Sequence, residues 1–401
     1  MTHPALAREQ LDRLHDRMAA YVARGELAGV ITLVARRDEV AVDVIGTGAI
    51  GGQPLRRDSI FRISSMTKPI VAAAALLAIE DGTVVLDEPV DRLLPELANR
   101  RVLRRLDGPL DDTVPAHRPI LVRDLLTFTM GMGILLAPPG STPIQRALDE
   151  LALGQGAPSP QGAPSPDEWI RRLGTLPLMS QPGEQWQYNT GADVLGVLIA
   201  RASGMPLQQI LRERLFAPLG MVDTGFSVSA AQRDRLVTSY LTDPATGAPT
   251  LYDRPDGQWS TPPAFPAGGA GLVSTIDDYF AFADMLAHGG THRGARVLSA
   301  ASVAAMTRDQ LSPAQKAATS WLPGTFDHLG WGFGLSVVTG RDDSGAPGSY
   351  GWDGGLGTVW RNDPARELTT ILLTQHAWRS PSAPPVCRDF WAGAQAAAQG
   401  A

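Results

Sequence analysis

The chain has 401 residues, of which 44% are hydrophobic and 19% are charged, so it can bury a large core in one large or two interleaved domains. Its net charge of -6 does not favour binding to nucleic acid or to an anionic membrane. The single cysteine, Cys387, excludes an internal disulfide framework and a zinc site built from several thiolates.

The N-terminal part predicts a helix, two strands and a second helix. Apolar residues at helical spacing predict an amphipathic helix over roughly residues 5–24. Two β-branched runs at 30–35 and 40–45 predict strands joined by a short turn. The second helix begins at Ser64 or Ser65 and ends near Asp81-Gly82. No basic and apolar leader precedes the first helix, so we expect a cytoplasmic protein.

The middle of the chain is predicted to be helical and irregular. A short helix is expected at residues 122–127, and longer helices are expected at 193–202 and 207–215. The six residues Gln-Gly-Ala-Pro-Ser-Pro at 155–160 are repeated without change at 161–166. Because two copies are too few for a repeat protein, we interpret them as an extended loop without chemistry.

The C-terminal third predicts a helix over 276–287, strands around 332–337, 358–360 and 368–373, and a closing helix over 386–398. A glycine cluster at 268–271 indicates close backbone packing or a turn.

Strands at both ends and helices between them predict one sheet built from both ends of the chain. We therefore expect a sheet domain from residues 1–90 plus 255–401, and a mostly helical inserted domain from 91–254. The active site is expected at their interface.

Lys68 is chemically informative because the chain has only one other lysine, Lys316, among its 35 basic residues. Arginine keeps its proton at ordinary pH, whereas a buried lysine can lose it. Ser65 precedes Lys68 by three residues, which places both on one face of a helix and the serine at its N-terminus. The apolar run after Lys68 predicts burial, and burial lowers the pKa of an amine. The pattern predicts a serine nucleophile with a lysine base, although an N-capping serine beside a surface lysine would give the same four letters.

Two further segments carry candidate site residues. Tyr188 precedes a predicted helix, and it can pass a proton if a neighbouring cation such as Lys68 depresses its pKa. The alternative for Tyr188 is a packed aromatic residue with a hydrogen-bonded hydroxyl group. The glycine-rich stretch at 350–358 indicates close approach of a ligand to a strand, with a simple hairpin turn as the alternative.

The order Ser-x-x-Lys, tyrosine motif and glycine-containing strand resembles the serine β-lactamase and penicillin-binding-protein superfamily, and most of all its class C β-lactamases and family VIII carboxylesterases. The resemblance spans roughly residues 8–395, and it also rests on the segments Phe61–Lys68, Pro218–Met221, Leu272–Thr275 and Asp363-Pro364. It implies an α/β fold of the α+β type, in which helices flank an antiparallel sheet and a mostly helical domain is inserted.

The resemblance also implies roles for individual residues. Ser65 would be the nucleophile, Lys68 would assist its deprotonation, and Tyr188 would shuttle the proton to the leaving group. The backbone N–H groups of Ser65 and Gly355 would form the oxyanion hole. No cofactor is implied, and the seven histidines form no metal-binding pattern, so we expect no metal.

The chain departs from the β-lactamase pattern at the substrate-binding positions. Trp352, Asp353 and Gly354 stand where β-lactamases usually have Lys-Thr-Gly, so the cation that helps hold a substrate carboxylate is missing. We expect Trp352 to form a pocket wall and Asp353 to repel a carboxylate. Thr190 occupies the position that usually holds an asparagine contacting the acyl amide, unless a one-residue deletion lets Asn189 serve there.

These departures favour a carboxylesterase that acts through an acyl-enzyme on short-chain or small neutral esters, with such a small molecule as its partner. A β-lactamase, a D-amino-acid peptidase or amidase, and an acyltransferase are alternatives, since all share the first chemical step. A non-catalytic penicillin-binding-like protein would be expected to lack the serine, lysine or tyrosine, and all three are present.

Overall fold

The computed structural model describes residues 5–154, 156–319 and 321–399, and its centre is a seven-stranded antiparallel sheet. In chain order the strands are β1 (Gly29–Arg36), β2 (Glu39–Gly46), β3 (Leu329–Trp331), β4 (Ser336–Val338), β5 (Tyr350–Gly354), β6 (Thr358–Asp363) and β7 (Leu368–Thr374). Their spatial order is β3-β4-β5-β6-β7-β1-β2, so the first and last parts of the chain meet where β1 pairs with β7. This arrangement confirms the predicted fold class.

Helices cover both faces of the sheet and fill the middle of the chain. They are α1 (Arg8–Ala23), α2 (Thr67–Glu80), α3 (Val122–Leu126), α4 (Pro143–Glu150), α5 (Pro166–Thr175), α6 (Thr190–Ser203), α7 (Leu207–Leu211), α8 (Ala217–Leu219), α9 (Ile276–Ala287), α10 (Ala300–Met306), α11 (Pro313–Ala318) and α12 (Pro385–Gln399). A wider turn at Arg212–Phe216 joins α7 to α8.

Within the described residues, four short antiparallel strand pairs lie outside the main sheet. They are Phe61–Arg62 with Val273–Ser274, Arg101–Leu103 with Thr113–Pro115, Ser239–Thr242 with Pro249–Asp253, and Thr291–His292 with Ala295–Arg296. The first pair matters for the site because it directly precedes the turn that carries Ser65.

The alternation of side chains along β1 explains how the sheet is covered. Val30 and Val34 point to the face covered by α1 and α12, and they belong to one apolar cluster with Phe390. Ile31 and Leu33 point to the opposite face and belong to the larger core that includes α2 and α9. Since successive residues of a strand face opposite sides, the continuous run of buried, mostly apolar residues in β1 is what a strand buried on both faces requires.

One predicted strand was placed incorrectly. The expected strand at 332–337 is a hairpin in which β3 ends at Trp331, residues 332–335 turn, and β4 begins at Ser336. Gly334 has φ +73°, and a Cβ there would lie 2.7 Å from the Cβ of Ala72 on α2. The glycine therefore belongs to a tight turn against α2 rather than to a strand.

The proposed domain limits stay a prediction.

Across the described residues, no single helix is both long and apolar enough to cross a bilayer. The helices Thr190–Ser203 and Leu207–Leu219, which meet at an 81° bend, satisfy that test together on length and composition alone.

Candidate active site

The turn Ser64–Met66 places Ser65 at the start of the buried helix α2. Ser64 has φ +46°, which is uncommon for a residue other than glycine and marks a sharp change of direction after the short strand Phe61–Arg62. One helical turn later, the Nζ of Lys68 lies 3.0 Å from the Oγ of Ser65. The expected spacing of serine and lysine on one helix face is therefore present.

Lys68 is buried, with 1% of its surface exposed. Its Nζ donates a hydrogen bond of 2.6 Å to the carbonyl oxygen of Gly269, and it lies 4.5 Å from the ring centre of Tyr188. Burial lowers the pKa of Lys68 to about 7, against a smaller opposing effect of the Asp193 carboxylate. A neutral amine can keep the bond to Gly269 while its lone pair accepts the proton of Ser65.

Asp193 is a site residue that the sequence reasoning missed. Its Oδ1 accepts a hydrogen bond of 2.8 Å from the backbone N–H of Gly269, the residue whose carbonyl oxygen holds Lys68. Burial raises the pKa of Asp193, whereas the Gly269 N–H and Lys68 favour its charged form. One peptide segment thus links the buried carboxylate to the buried amine.

The glycine cluster at 268–271 makes this link sterically feasible, as its composition predicted. A Cβ on Gly268 would lie 2.3 Å from the carbonyl oxygen of Ala192, and one on Gly269 would lie 3.0 Å from Oδ1 of Asp193. Side chains at these two positions would push the segment away from α6 and from Lys68.

Tyr188 sits above Lys68 within a cluster of aromatic rings. Its hydroxyl oxygen accepts a hydrogen bond of 2.9 Å from Nε1 of Trp352. Its ring lies 5.1 Å from that of Trp321 and 5.6 Å from those of Trp186 and Trp352. Burial raises the pKa of Tyr188 well above its ordinary value, although hydrogen bonds with Ser65 and Trp352 act in the opposite direction. The condition considered from the sequence, a pKa of Tyr188 depressed by a neighbouring cation, is therefore not met, and the phenol is protonated at neutral pH.

Of the two candidates for the polar position after Tyr188, only Asn189 lines the cavity that opens at Ser65. Asn189 lines it with φ +84°, and its Nδ2 donates a hydrogen bond of 3.3 Å to Oδ2 of Asp193. Thr190 is the buried first residue of α6 and is not part of the cavity lining.

Trp352 and Asp353 do not have the positions expected from the sequence. Neither lines the cavity: Trp352 faces Tyr188, whereas the carboxylate of Asp353 forms an ion pair with Arg361, at 2.6 and 2.9 Å. Successive residues of β5 point to opposite faces of the sheet, so the two side chains cannot share one pocket wall. The charge of Asp353 is compensated by Arg361 and does not face a substrate.

Gly354 allows β5 to approach the turn that carries Ser65. A Cβ at this position would lie 2.3 Å from the carbonyl oxygen of Ile63. The carbonyl oxygen of Gly354 accepts a hydrogen bond of 2.9 Å from the N–H of Gly357. In a trans peptide the next N–H points the opposite way, so the N–H of Gly355 is directed away from the hairpin turn.

A cavity of about 560 Å³ opens at Ser65. Ser65, Tyr188 and Gly355 line it, with Lys68 directly behind Ser65. Most of the other lining residues are small or apolar, and among the described residues only Asp149 and Asp193 contribute charged groups. The described lining therefore contains no cationic side chain that could hold a substrate carboxylate.

Within the described parts of the chain, no group of three or more His, Cys, Asp or Glu side chains is placed to hold a metal ion.

Comparison with known proteins finds relatives that match most of the chain. The family model described as Beta-lactamase matches residues 14–398. Protein Rv1367c of Mycobacterium tuberculosis is 42% identical over 362 residues, which covers 88% of this chain and 86% of that protein. Esterase EstB of Burkholderia gladioli is 33% identical over 390 residues, which covers 89% of this chain and 88% of the esterase.

Among solved structures, a similar one is that of EstCE1, described as a hydrolase with promiscuous acyltransferase activity. It has a TM-score of 0.78 and 25% identity, and the match covers 96% of this chain and 98% of EstCE1.

Proposed function

The chain belongs to the Beta-lactamase family, and from that premise we propose that it is a serine carboxylesterase that forms an acyl-enzyme. The observation that carries the proposal is the apolar cavity at Ser65, whose described lining has no cationic side chain. An uncharged ester fits such a cavity, because burying an unpaired carboxylate there would be costly.

The proposed first step is acylation of Ser65. Neutral Lys68 accepts the proton of the Ser65 hydroxyl group, and Oγ attacks the ester carbonyl carbon. The N–H groups of Ser65 and Gly355 stabilise the negative oxygen of the tetrahedral intermediate. When the intermediate collapses, Tyr188 donates its proton to the departing alkoxide and is reprotonated from Lys68.

The proposed second step releases the acid. A water molecule attacks the acyl-enzyme carbonyl carbon and gives its proton to neutral Lys68, either directly or through Tyr188, which passes its own proton to Lys68 as it takes up the one from water. Lys68 then returns a proton to Oγ of Ser65, which leaves as the restored hydroxyl group. The lowered pKa of Lys68 makes the neutral amine available near pH 7, and the raised pKa of Tyr188 keeps the phenol protonated between the steps.

The proposed substrate preference follows from β5, the strand that ends just before Gly355. Where β-lactamases have a lysine, Trp352 donates its N–H to Tyr188, and the nearest cation on the adjoining strand, Arg361, is paired with Asp353. A β-lactam carboxylate would therefore lose a charge-assisted contact worth about 1.5–3 kcal/mol.

Acyl transfer to an alcohol is the second candidate, because EstCE1 is described as a hydrolase that also has acyltransferase activity. The first step would be the same, and an alcohol would replace water in the second step.

Parallel measurement of kcat/KM for p-nitrophenyl butyrate and for nitrocefin tests the proposal, with Ser65→Ala as the control. We expect the ester to be the better substrate, and the Ser65→Ala variant to lose several orders of magnitude in rate on both. If nitrocefin is turned over faster than every short ester, the chain is a β-lactamase and the esterase proposal is wrong.

A further inference from the structure

Seven described residues of the duplicated stretch 155–166 line the active-site cavity. The first copy contributes five lining residues between 156 and 160, and the second contributes Gly162 and Ala163. We refer to residues 156–163 as the wall segment. The sequence interpretation of this region as a loop is confirmed, but the loop is not remote from the proposed chemistry.

The wall segment is fixed at both of its ends. It connects α4 to α5, and each helix packs an apolar face into the main core, with Leu148 on α4 and Trp169 on α5 buried. The ring of Trp169 also lines the cavity, where it stacks on Phe265 at a centre-to-centre distance of 4.9 Å.

The middle of the wall segment is hydrogen-bonded to residues 252–261, which are distant in sequence. Gln161 donates hydrogen bonds from Nε2 to the carbonyl oxygens of Gln258 and Thr261, at 2.8 and 3.0 Å. The hydroxyl group of Tyr252 donates to the carbonyl oxygen of Pro158. Tyr252 packs in turn against a cluster containing Leu356, the residue after Gly355. These bonds hold the segment in place at the cavity, and through Tyr252 they connect it to the cluster of the turn that contains Gly355.

The wall segment consists of small, apolar or uncharged polar residues. From Gly156 to Ala163 it presents glycine, alanine, proline, one serine and one glutamine, and no charged group. The serine and glutamine direct their polar groups to Gln258 and Thr261. The surface left for a ligand is apolar, and proline restricts the backbone that carries it.

The two copies have the same sequence but different structural tasks. Pro158 of the first copy lines the cavity, whereas Pro164, at the same place in the second copy, does not. Ser165 and Pro166 of the second copy form the start of α5. A single copy would supply the helix start and a shorter wall, so the second copy adds length specifically to the wall.

We propose that the wall segment is a specificity element that contacts a bulky, uncharged, apolar group of the substrate. This inference rests on the proposed ester chemistry and deepens it: the preferred esters are larger than acetyl esters. An apolar surface held over the cavity favours groups long enough to reach it, since each buried methylene adds to binding.

Deletion of residues 161–166 tests this directly. The shortened chain reads Gln-Gly-Ala-Pro-Ser-Pro-Asp, so the start of α5 keeps its sequence. We expect kcat/KM for p-nitrophenyl hexanoate to fall by about tenfold, the factor expected when two methylenes lose their contacts, while the value for the acetate stays within about twofold. Naphthyl and ethyl acetates extend the comparison to the alcohol side.

Pro158→Asp and Pro164→Asp form a matched pair if the deletion variant does not fold. Both prolines are partly buried in the same local sequence, and only Pro158 lines the cavity. We expect Pro158→Asp to lower the hexanoate-to-acetate ratio by about tenfold and Pro164→Asp to leave it unchanged. Equal effects of the two substitutions, or a ratio that is unchanged or rises in Pro158→Asp, would overturn the proposal.

Alkyl fluorophosphonates separate this inference from the proposed function. Their rate of reaction with Ser65 reports the same chain-length preference without any ester turnover. Labelling that favours a hexyl over a methyl reagent, and loses this preference in Pro158→Asp, supports the wall segment even if no ester is hydrolysed. Labelling that is independent of chain length overturns the inference while leaving the esterase proposal in place.

Discussion

Replacing Trp352 with phenylalanine removes one hydrogen bond at the site and keeps an aromatic ring in place. The Nε1 of Trp352 donates to the hydroxyl oxygen of Tyr188 at 2.9 Å, and its ring packs edge-on against Trp331 at 4.6 Å. Phenylalanine preserves most of the packing but has no N–H. The substitution therefore isolates the effect of the donor on Tyr188.

The expected magnitude depends on the charge of the Tyr188 oxygen. With a neutral phenol the bond contributes about 0.5–1.5 kcal/mol, and with an oxygen that carries negative charge while it passes a proton it contributes about 1.5–3 kcal/mol. If Tyr188 relays the proton, the larger value applies in the transition state. Because the free enzyme also makes this bond, only the difference of about 1–1.5 kcal/mol lowers kcat/KM, and the value for p-nitrophenyl butyrate should fall by roughly tenfold.

Trp360→Phe is the matched control. Trp360 lies directly opposite Trp352 in the β5–β6 register, and its Nε1 donates a bond of the same length, 2.9 Å, to Oδ1 of Asn362. We expect both variants to lower the thermal unfolding midpoint, but only Trp352→Phe to lower kcat/KM. If Trp352→Phe stays folded and keeps its activity within about twofold of the original, the indole N–H does not act on Tyr188 and the reasoning is refuted.

Two further predictions concern the protonation of Lys68. Because burial lowers the pKa of Lys68 to about 7, the fraction of neutral amine, and with it kcat/KM, should increase as the pH rises through 7 and then level off. Lys68→Arg should be nearly inactive at every pH, and an active arginine variant would exclude Lys68 as the base. Asp193→Asn removes a negative charge that favours the protonated form of Lys68, so the midpoint of the pH profile should move to lower pH. A midpoint that stays or rises would contradict the link between Asp193 and Lys68 through Gly269.

Ser65 and Lys68 could be singled out as candidates from the sequence because their signal is local. Ser65 and Lys68 are separated by one helical turn, and the apolar run behind them indicates burial without reference to the rest of the fold. Asp193 has no comparable signal, since an acidic residue in the first turn of a helix is expected for the helix dipole alone. Its role depends on Gly269, which only the folded chain brings between α2 and α6.

The errors at Trp352 and Asp353 have a different origin. Strand alternation alone excludes that both side chains face one pocket, so this part was available from the sequence. The partner of Asp353 was not, because the pairing with Arg361 depends on the register of the β5–β6 hairpin. The location of the duplicated segment was equally hidden, since its composition indicates a loop but not the surface that the loop crosses.

The junction of β1 with β7 sets the order in which the molecule can be completed during translation. Val30 pairs with Thr374, so β1 leaves the ribosome roughly 20 to 70 s before its partner at synthesis rates of about 5–20 residues per second. Over that interval the β1–β2 hairpin also exposes the edge of β1 that β7 later covers, and this edge is prone to wrong pairing; an isolated hairpin is only marginally stable. Pairing of β1 with β7, with α1 and α12 packing over the junction, is therefore the late event of biogenesis. It is the step before which the exposed edge of β1 would most need a holding chaperone.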